Sequence, residues 1–180
     1  MKILEVRRHS MRKHNGGSQL SQEGVSYARK LGTSLGPFAT VTTSVVPRAR
    51  ETAIAMGFAV DYELVTLVSE EAFYQEAEQT RWWESSQPFV SLASLIAAKG
   101  ATWRYAHGVV AMWRDILTPL SDGADALVIG HSGELEIALV ACFPNADHAS
   151  WGRPFGLLEG ARLYFSGELE HFTALEFVRT

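Results

Sequence analysis

Residues 126–129 (Ala-Leu-Val-Ile) constrain the fold more than any other stretch of the chain. Successive apolar side chains, with no polar residue between them, are typical of a strand that is buried on both faces. Such strands occur in parallel sheets, where helices cover each side. The run leads into residues 130–133 (Gly-His-Ser-Gly), and a helix is predicted from about Glu134 to Cys142. The pattern therefore predicts a buried strand, a polar loop and a helix, in that order.

A similar arrangement opens the chain. Residues 3–7 are predicted to form a strand, and residues 8–12 (Arg-His-Ser-Met-Arg) follow it directly. Taken alone, that run fits either a solvated basic loop or a phosphate site with His9 as nucleophile. His9 and His131 would both follow strands, and in open α/β sheets ligands bind at the carboxyl ends of strands. Gly24 lowers the stability of the next helix by about 1 kcal/mol relative to alanine. A close approach of that helix to the opening loop would explain why a glycine stands there.

The remaining patterns predict an alternation of strands and helices. The class is α/β, a three-layer sandwich with a mixed, mostly parallel central sheet and helices on both faces, in a single domain over residues 1–180. Residues 70–100 are the least regular part and could cover a site. Strands are predicted at 38–44, weakly at 61–69, and in a terminal hairpin at 161–165 and 172–178; helices are predicted from 21, from 47 to 57, at 89–96 and at 103–117.

Arg48 lies in the first turn of the helix that is predicted to begin at Pro47. Proline is favourable at a first helical position, because the N–H group that it lacks would have no partner within the helix. The free backbone N–H groups of a first helical turn, together with the helix dipole, favour an anion there. The alternative for Arg48 is an ordinary solvated arginine. The placement therefore makes Arg48 a candidate anion ligand.

Composition excludes several classes of function. The net charge of −4 argues against a general nucleic-acid binder. Cys142 is the only cysteine, so an internal disulfide is impossible, and its apolar surroundings predict a buried, inert thiol. No apolar stretch reaches membrane-spanning length and no signal-peptide pattern opens the chain, so a cytoplasmic enzyme-sized domain is expected.

Four segments resemble, in the same order, the motifs of the histidine phosphatase superfamily, also called phosphoglycerate-mutase-like. Residues 8–10 resemble its Arg-His-Gly signature, with Ser10 in place of the glycine. Residues 20–24 resemble its Leu-Thr-x-x-Gly helix start. Residues 44–53 resemble its Ser-x-x-x-Arg-Ala-x-x-Thr-Ala segment, and residues 130–133 resemble its second histidine motif. The matches span most of the chain.

The resemblance implies a phosphatase that forms a phosphohistidine on His9, which water then cleaves. Arg8, Arg48 and Arg12 would hold the phosphoryl oxygens, because guanidinium forks match them. His131 would donate to the same oxygens in the transition state. No metal and no cofactor are expected.

The remaining implied residues concern the substrate and the acid. Asn15 resembles an asparagine of the mutase branch, whereas Arg12 resembles the second arginine of the acid-phosphatase branch; Ser132 joins them as a candidate substrate ligand. The general acid is expected at Glu71, because residues 71–74 resemble a Glu-x-x-Tyr arrangement. Glu70 stays an alternative that would point the opposite way in an extended segment.

The resemblance is compatible with more than one class of substrate. The resemblance implies a phosphorylated small molecule, with a phosphoprotein as an alternative, and no nucleic-acid or membrane partner. The alternatives to a phosphomonoester phosphatase are a phosphohistidine-protein phosphatase, a mutase-type phosphoryl transfer and a non-catalytic relative that binds phosphorylated ligands.

Overall fold

The structure is a computed structural model that describes residues 1–14 and 17–180. Asn15, expected in the substrate site, lies outside the described residues. The strands are β1 (Lys2–Arg8), β2 (Thr40–Ser44), β3 (Tyr62–Leu64), β4 (Asp125–Gly130), β5 (Gly160–Ser166) and β6 (His171–Val178). The helices are α1 (Gln22–Gly32), α2 (Pro47–Ala55), α3 (Glu71–Thr80), α4 (Pro88–Ala97), α5 (Ala101–Leu117) and α6 (Glu134–Cys142).

In the described part of the chain, six strands form one sheet in the order β3-β2-β4-β1-β5-β6. Strands β3, β2, β4 and β1 run parallel, and β5 pairs antiparallel with both β1 and β6. The predicted mixed, mostly parallel sheet with a terminal antiparallel hairpin is confirmed. In the register of β1 and β4, Arg8 pairs with Gly130, so the loops after both strands leave the sheet side by side.

Strand β4 is buried on both faces, as its apolar run predicts. Leu127 and Ile129 pack on one side with alanines of α1 and α2. Ala126 and Val128 pack on the other side in a cluster that includes Trp113 of α5 and side chains of α6. Helices therefore cover both faces of the sheet, which confirms the three-layer architecture.

The helix start at Ser21 and the prediction for Gly24 also hold. The side chain of Ser21 caps α1 by accepting a hydrogen bond from the backbone N–H of Gly24 at 3.0 Å. A Cβ atom at Gly24 would lie 2.1 Å from the carbonyl oxygen of Met11. Only glycine lets α1 approach the opening loop this closely.

One expectation is wrong. The segment after Ser69, expected to be the least regular part of the chain, is helical, since α3 begins at Glu71 and buries Phe73 and Ala77 at helical spacing. On the predicted helix at 103–117, Trp103 is exposed and lies against His107. Tyr105 takes the buried position on that turn of α5.

No helix in residues 1–14 or 17–180 is long and apolar enough to span a membrane.

Candidate active site

The imidazole of His9 is held in one tautomer at the carboxyl end of β1. Its backbone N–H donates to the carbonyl of Gly130 at 3.0 Å, which ties the loop to the end of β4. Nδ1 lies 2.6 Å from the carbonyl oxygen of Ser10, an acceptor, so Nδ1 must carry the proton. Nε2 accepts a hydrogen bond from Nε of Arg48 at 2.9 Å. Nε2 therefore carries the free electron pair of a neutral imidazole.

Ser10 fixes the opening loop against two helices. Its backbone N–H donates to the hydroxyl of Thr52 in α2 at 2.9 Å, and Thr52 donates in turn to the carbonyl of Arg48. The hydroxyl of Ser10 donates to the carbonyl of Gly24 in α1 at 2.7 Å. The serine that stands in place of a glycine is thus accommodated, and it links His9 to the helix that carries Arg48.

His131 follows β4 and stands next to His9. The ring centroids of the two histidines are 5.1 Å apart, with an angle of 62° between the ring planes. Nε2 of His131 lies 2.9 Å from the hydroxyl of Ser44, the last residue of β2. Nδ1 is buried and has no hydrogen-bond partner within the described residues. Three neighbouring parallel strands therefore contribute their carboxyl ends to one site.

A cleft of about 430 Å³ opens over the two histidines. It is lined by Arg8, His9, Met11, Arg12, Lys13, His14, Arg48, Tyr74, His131, Ser132 and Leu157. Its lining residues are strongly basic, whereas the whole chain has a net charge of −4. This local excess of positive charge suits an anionic ligand.

The cationic side chains differ in how they are held. Arg8 is half-buried, donates to the carbonyl of Phe155 at 2.7 Å and has a buried Nε without a partner among the described residues. Burial lowers the pKa of Arg8 and of Arg48, although a guanidinium stays charged at neutral pH. Arg12 is exposed at the mouth of the cleft. Arg8 and Arg48 therefore lie beside His9, with Arg12 further out.

Burial keeps both histidines neutral. Burial lowers the pKa of His9 to about 4; the Ser10 carbonyl opposes this effect, and the charges of Arg48, Arg8 and Arg12 add to it. Burial, with His9 and the arginines as further causes, lowers the pKa of His131 to about 3. At neutral pH the Nε2 atom of His9 is consequently available as a nucleophile.

The expected acid does not stand at the cleft. Glu71 is the first residue of α3, is exposed and accepts a hydrogen bond from the side chain of Gln75 at 3.2 Å. Glu70, at the N-cap position, is also exposed. Because α3 begins at Glu71, the alternation of a strand does not separate the two side chains, and both face solvent. Among the described residues, no carboxylate lines the cleft.

Ser132 does line the cleft, as expected for a substrate ligand. Its hydroxyl hydrogen is already donated to Glu136 at 2.9 Å, so only its oxygen can accept a further hydrogen bond. The positive φ of Gly133, +101°, lets the chain turn from this loop into α6, a backbone conformation that favours glycine.

Several site residues were not given a role from the sequence. Ser44 and Thr52 lie within the motif at residues 44–53, so the signal was present in the spacing. Tyr74 lies within the Glu-x-x-Tyr arrangement, but its place in the cleft depends on α3 being helical. Glu134 carries no local signal, because an acidic residue is common in any first helical turn.

The described residues contain no cluster of three or more histidine, cysteine, aspartate or glutamate side chains that could hold a metal ion.

The comparison with solved structures identifies the fold. A scan of protein-family models found no match, and a search of curated proteins also found none. Among solved structures, a mycobacterial glucosyl-3-phosphoglycerate phosphatase in complex with VO3 is similar, with a TM-score of 0.67 and 15% identity over 99% of this chain and 98% of that one.

Two further solved structures show the same similarity. Phosphoserine phosphatase from Entamoeba histolytica in complex with 3-phosphoglyceric acid has a TM-score of 0.62 and 13% identity, over 100% of this chain and 98% of that one. Phosphoglycerate mutase from Bacillus anthracis has a TM-score of 0.67 and 18% identity, over 98% of this chain and 92% of that one. These neighbours are members of the histidine phosphatase superfamily. The chain accordingly has the phosphoglycerate-mutase-like fold of that superfamily, as the motifs at residues 8–10 and 130–133 implied.

Proposed function

We propose that this chain hydrolyses phosphomonoesters, without a metal ion, through a phosphohistidine formed on His9. The main observation in support is the tautomer of His9 in a basic cleft. Nδ1 donates to the carbonyl of Ser10, and Nε2 keeps a free electron pair that accepts a hydrogen bond from Arg48. The similarity to two phosphatases and a mutase supports the same class of chemistry.

In the first step, Nε2 of His9 attacks phosphorus, and the bond from phosphorus to the ester oxygen breaks. The leaving oxygen takes a proton and departs as an alcohol. Arg48 exchanges its hydrogen bond with Nε2 for bonds to the phosphoryl oxygens, and Arg8 offers its unpartnered Nε–H to them. These guanidinium groups neutralise charge that a metal ion would otherwise balance.

In the second step, water attacks phosphorus and the nitrogen–phosphorus bond breaks, which releases inorganic phosphate and restores neutral His9. His131, 5.1 Å away between ring centroids, is proposed to donate a hydrogen bond to the phosphoryl group in both steps. The substrate is proposed to be a small phosphorylated molecule, since the cleft of about 430 Å³ has room for one.

Substitution of His9 by alanine should abolish turnover and leave the fold unchanged. Rapid quench of the unsubstituted protein with radiolabelled p-nitrophenyl phosphate should trap an acid-labile phosphoenzyme, which His9→Ala should lack. His14→Ala is the matched control, because His14 also lines the cleft but is exposed and follows the opening loop. A His9→Ala variant with normal turnover, or label on another residue, would refute the covalent mechanism.

Metal independence is tested by adding a chelator, which should leave the activity unchanged. Activity that chelator abolishes and added Zn²⁺ or Mg²⁺ restores would refute metal independence.

A further inference from the structure

Glu134 is a buried carboxyl group that the steps above leave unused. It is the first residue of α6 and only 3% exposed. Its Oε1 atom accepts hydrogen bonds from the backbone N–H of Ser69 at 3.1 Å and from the Ser69 hydroxyl. Its Oε2 atom is buried and has no hydrogen-bond partner among the described residues. A buried polar atom without a hydrogen-bond partner destabilises the fold. The structural hydrogen bonds to Ser69 therefore explain the position of Oε1 but not that of Oε2.

Glu136 shows what a structural carboxylate looks like on the same helical turn. It is fully buried, and it accepts hydrogen bonds from the hydroxyl of Ser132 at 2.9 Å, the N–H of Gly133 at 2.7 Å and the N–H of Phe155 at 2.8 Å. Both of its oxygens are satisfied, and they hold the loop after β4 in place. Glu134 has the same burial and lacks this satisfaction.

The other carboxylates near the cleft are exposed or already engaged. Glu70 and Glu71 are exposed, Glu51 accepts from the N–H of Leu20, Glu76 caps α5, and Glu159 pairs with Arg153 and Arg179. Within the described residues, Glu134 is thus the carboxyl group that combines burial beside the cleft with a free oxygen.

Charged and polar groups surround Glu134 from several elements. Glu136 on its own helix and Tyr105 on α5 are within electrostatic reach, as are Arg8 after β1 and Arg48 on α2. The two arginines are those proposed to hold the phosphoryl group. Glu134 also follows by two residues Ser132, which lines the cleft. Its carboxyl group is therefore buried behind the cleft lining, within electrostatic reach of both arginines.

We propose that Glu134 is the general acid of phosphoryl transfer, an assignment that rests on the proposed function. As the bond between phosphorus and the ester oxygen breaks, its electron pair stays on the ester oxygen. That oxygen takes the proton from Oε2 of Glu134, and the O–H bond of the carboxyl group breaks. Glu134 is left as a carboxylate. In the second step it takes a proton from the attacking water, which restores the carboxylic acid.

The surroundings of Glu134 suit a proton carrier. Burial raises the pKa of Glu134 to about 7, against the opposing hydrogen bonds from Ser69 and with a contribution from Glu136. A substantial share of the protein therefore carries the proton at neutral pH. The charge of a bound phosphoryl group favours the protonated form further.

Single-turnover rates with a series of phosphomonoesters test the assignment. Glu134→Gln, which is isosteric with the protonated acid, should slow transfer from an alkyl phosphate about 10²–10⁴-fold, the usual contribution of general acid catalysis. Transfer from p-nitrophenyl phosphate should change less than about tenfold, since its leaving group hardly needs a proton. The dependence of rate on leaving-group pKa should therefore steepen. Glu71→Gln is the control and should keep the original dependence.

The outcomes separate this assignment from the proposed function. A Glu134→Gln variant that still labels His9 and keeps the original leaving-group dependence would overturn the acid and leave the function intact. Failure of the unsubstituted protein to label His9 would overturn the function itself. Should Glu134→Gln fail to fold, pH profiles of the unsubstituted protein decide. Transfer from the alkyl phosphate should fall as pH rises above about 7, and transfer from p-nitrophenyl phosphate should not; parallel profiles would contradict the proposal.

Discussion

The floor of the cleft and its wall are held by different kinds of contact. The floor consists of His9 and His131 at the ends of β1 and β4, where a parallel ladder continues into the loops through the hydrogen bond from His9 to Gly130. The wall is α3, which presents Tyr74 to the cleft. It is joined to α5 by the stacking of Phe73 on Tyr105 and by a few hydrogen bonds, rather than by a strand ladder.

This difference suggests separate roles, with the floor suited to the reaction and the wall suited to contact with the rest of the substrate. Side chains on the floor are buried and hydrogen-bonded to neighbouring elements, which under the proposed function would hold the reacting atoms within the narrow tolerances of phosphoryl transfer. The wall is one short helix whose cleft-facing Tyr74 is exposed, so a substitution there should have little effect on the stability of the sheet. Substitutions in the floor should therefore change kcat, and those in the wall should change KM.

Arg48→Ala tests how the floor depends on its closest cation, because Arg48 donates a hydrogen bond to His9. We expect kcat to fall about 10³-fold, in the range found for arginines that stabilise a transferring phosphoryl group. The charge of Arg48 also lowers the pKa of His9, second to burial, so its removal should raise that pKa and move the acidic limb of kcat/KM to higher pH. Steady-state kinetics across pH measure both effects.

Arg50→Ala is the matched control for that variant. Arg50 lies on the same helix but is exposed and pairs with Glu63 of β3 at 3.3 Å. Its loss should leave kcat and the pH profile unchanged. An Arg48→Ala variant with an unshifted acidic limb would indicate that the charge of Arg48 does not lower the pKa of His9.

The floor was also the part that the sequence predicted well. The apolar run at residues 126–129 and the strand before Arg8 determine where both histidines emerge, because parallel neighbours end at one edge of the sheet. The start of α2 at Pro47 then brings Arg48 to the same edge. These are local patterns, and each needs only a strand or helix period to be interpreted.

The wall and Glu134 could not be predicted in the same way. Residues 70–80 are acidic, and only Phe73 and Ala77 are buried in α3, so the apolar stripe of the helix is too narrow to stand out. Glu134 looks like any acidic residue in a first turn. Its hydrogen-bond partner Ser69 is 65 residues away in sequence, so this contact exists only in the folded chain.

The pH dependence of stability provides a second test of the floor. The pKa values of His9 and His131 are lowered to about 4 and about 3 in the folded protein, whereas an unfolded histidine titrates near 6.5. Below pH 6.5 the unfolded chain binds protons that the folded chain does not, so stability falls as pH is lowered towards 4. The His9 contribution reaches roughly 3 kcal/mol at most.

Urea denaturation at a series of pH values, compared between the unsubstituted protein and His9→Asn, isolates this contribution. The difference removes the opposite trend from Glu134, whose raised pKa means that stability is lost as pH rises from 4.5 to about 7. We expect the loss of stability between pH 6.5 and 4 to be smaller in His9→Asn. Equal slopes would mean that the imidazole of His9 is not desolvated in the folded protein.

The smallest effect is expected in the wall, at Tyr74. Its side chain lines the cleft but is 52% exposed, so α3 does not depend on it for burial. Tyr74→Ala should raise KM up to about tenfold and leave kcat within about twofold, because it removes contact area that serves the bound substrate and the transition state alike. Tyr27→Ala is the control: Tyr27 is 49% exposed on α1 and is bonded to Glu23, away from the cleft lining. If Tyr74→Ala instead lowers kcat as much as kcat/KM, the tyrosine acts in the transition state, and α3 takes part in the chemistry together with the floor.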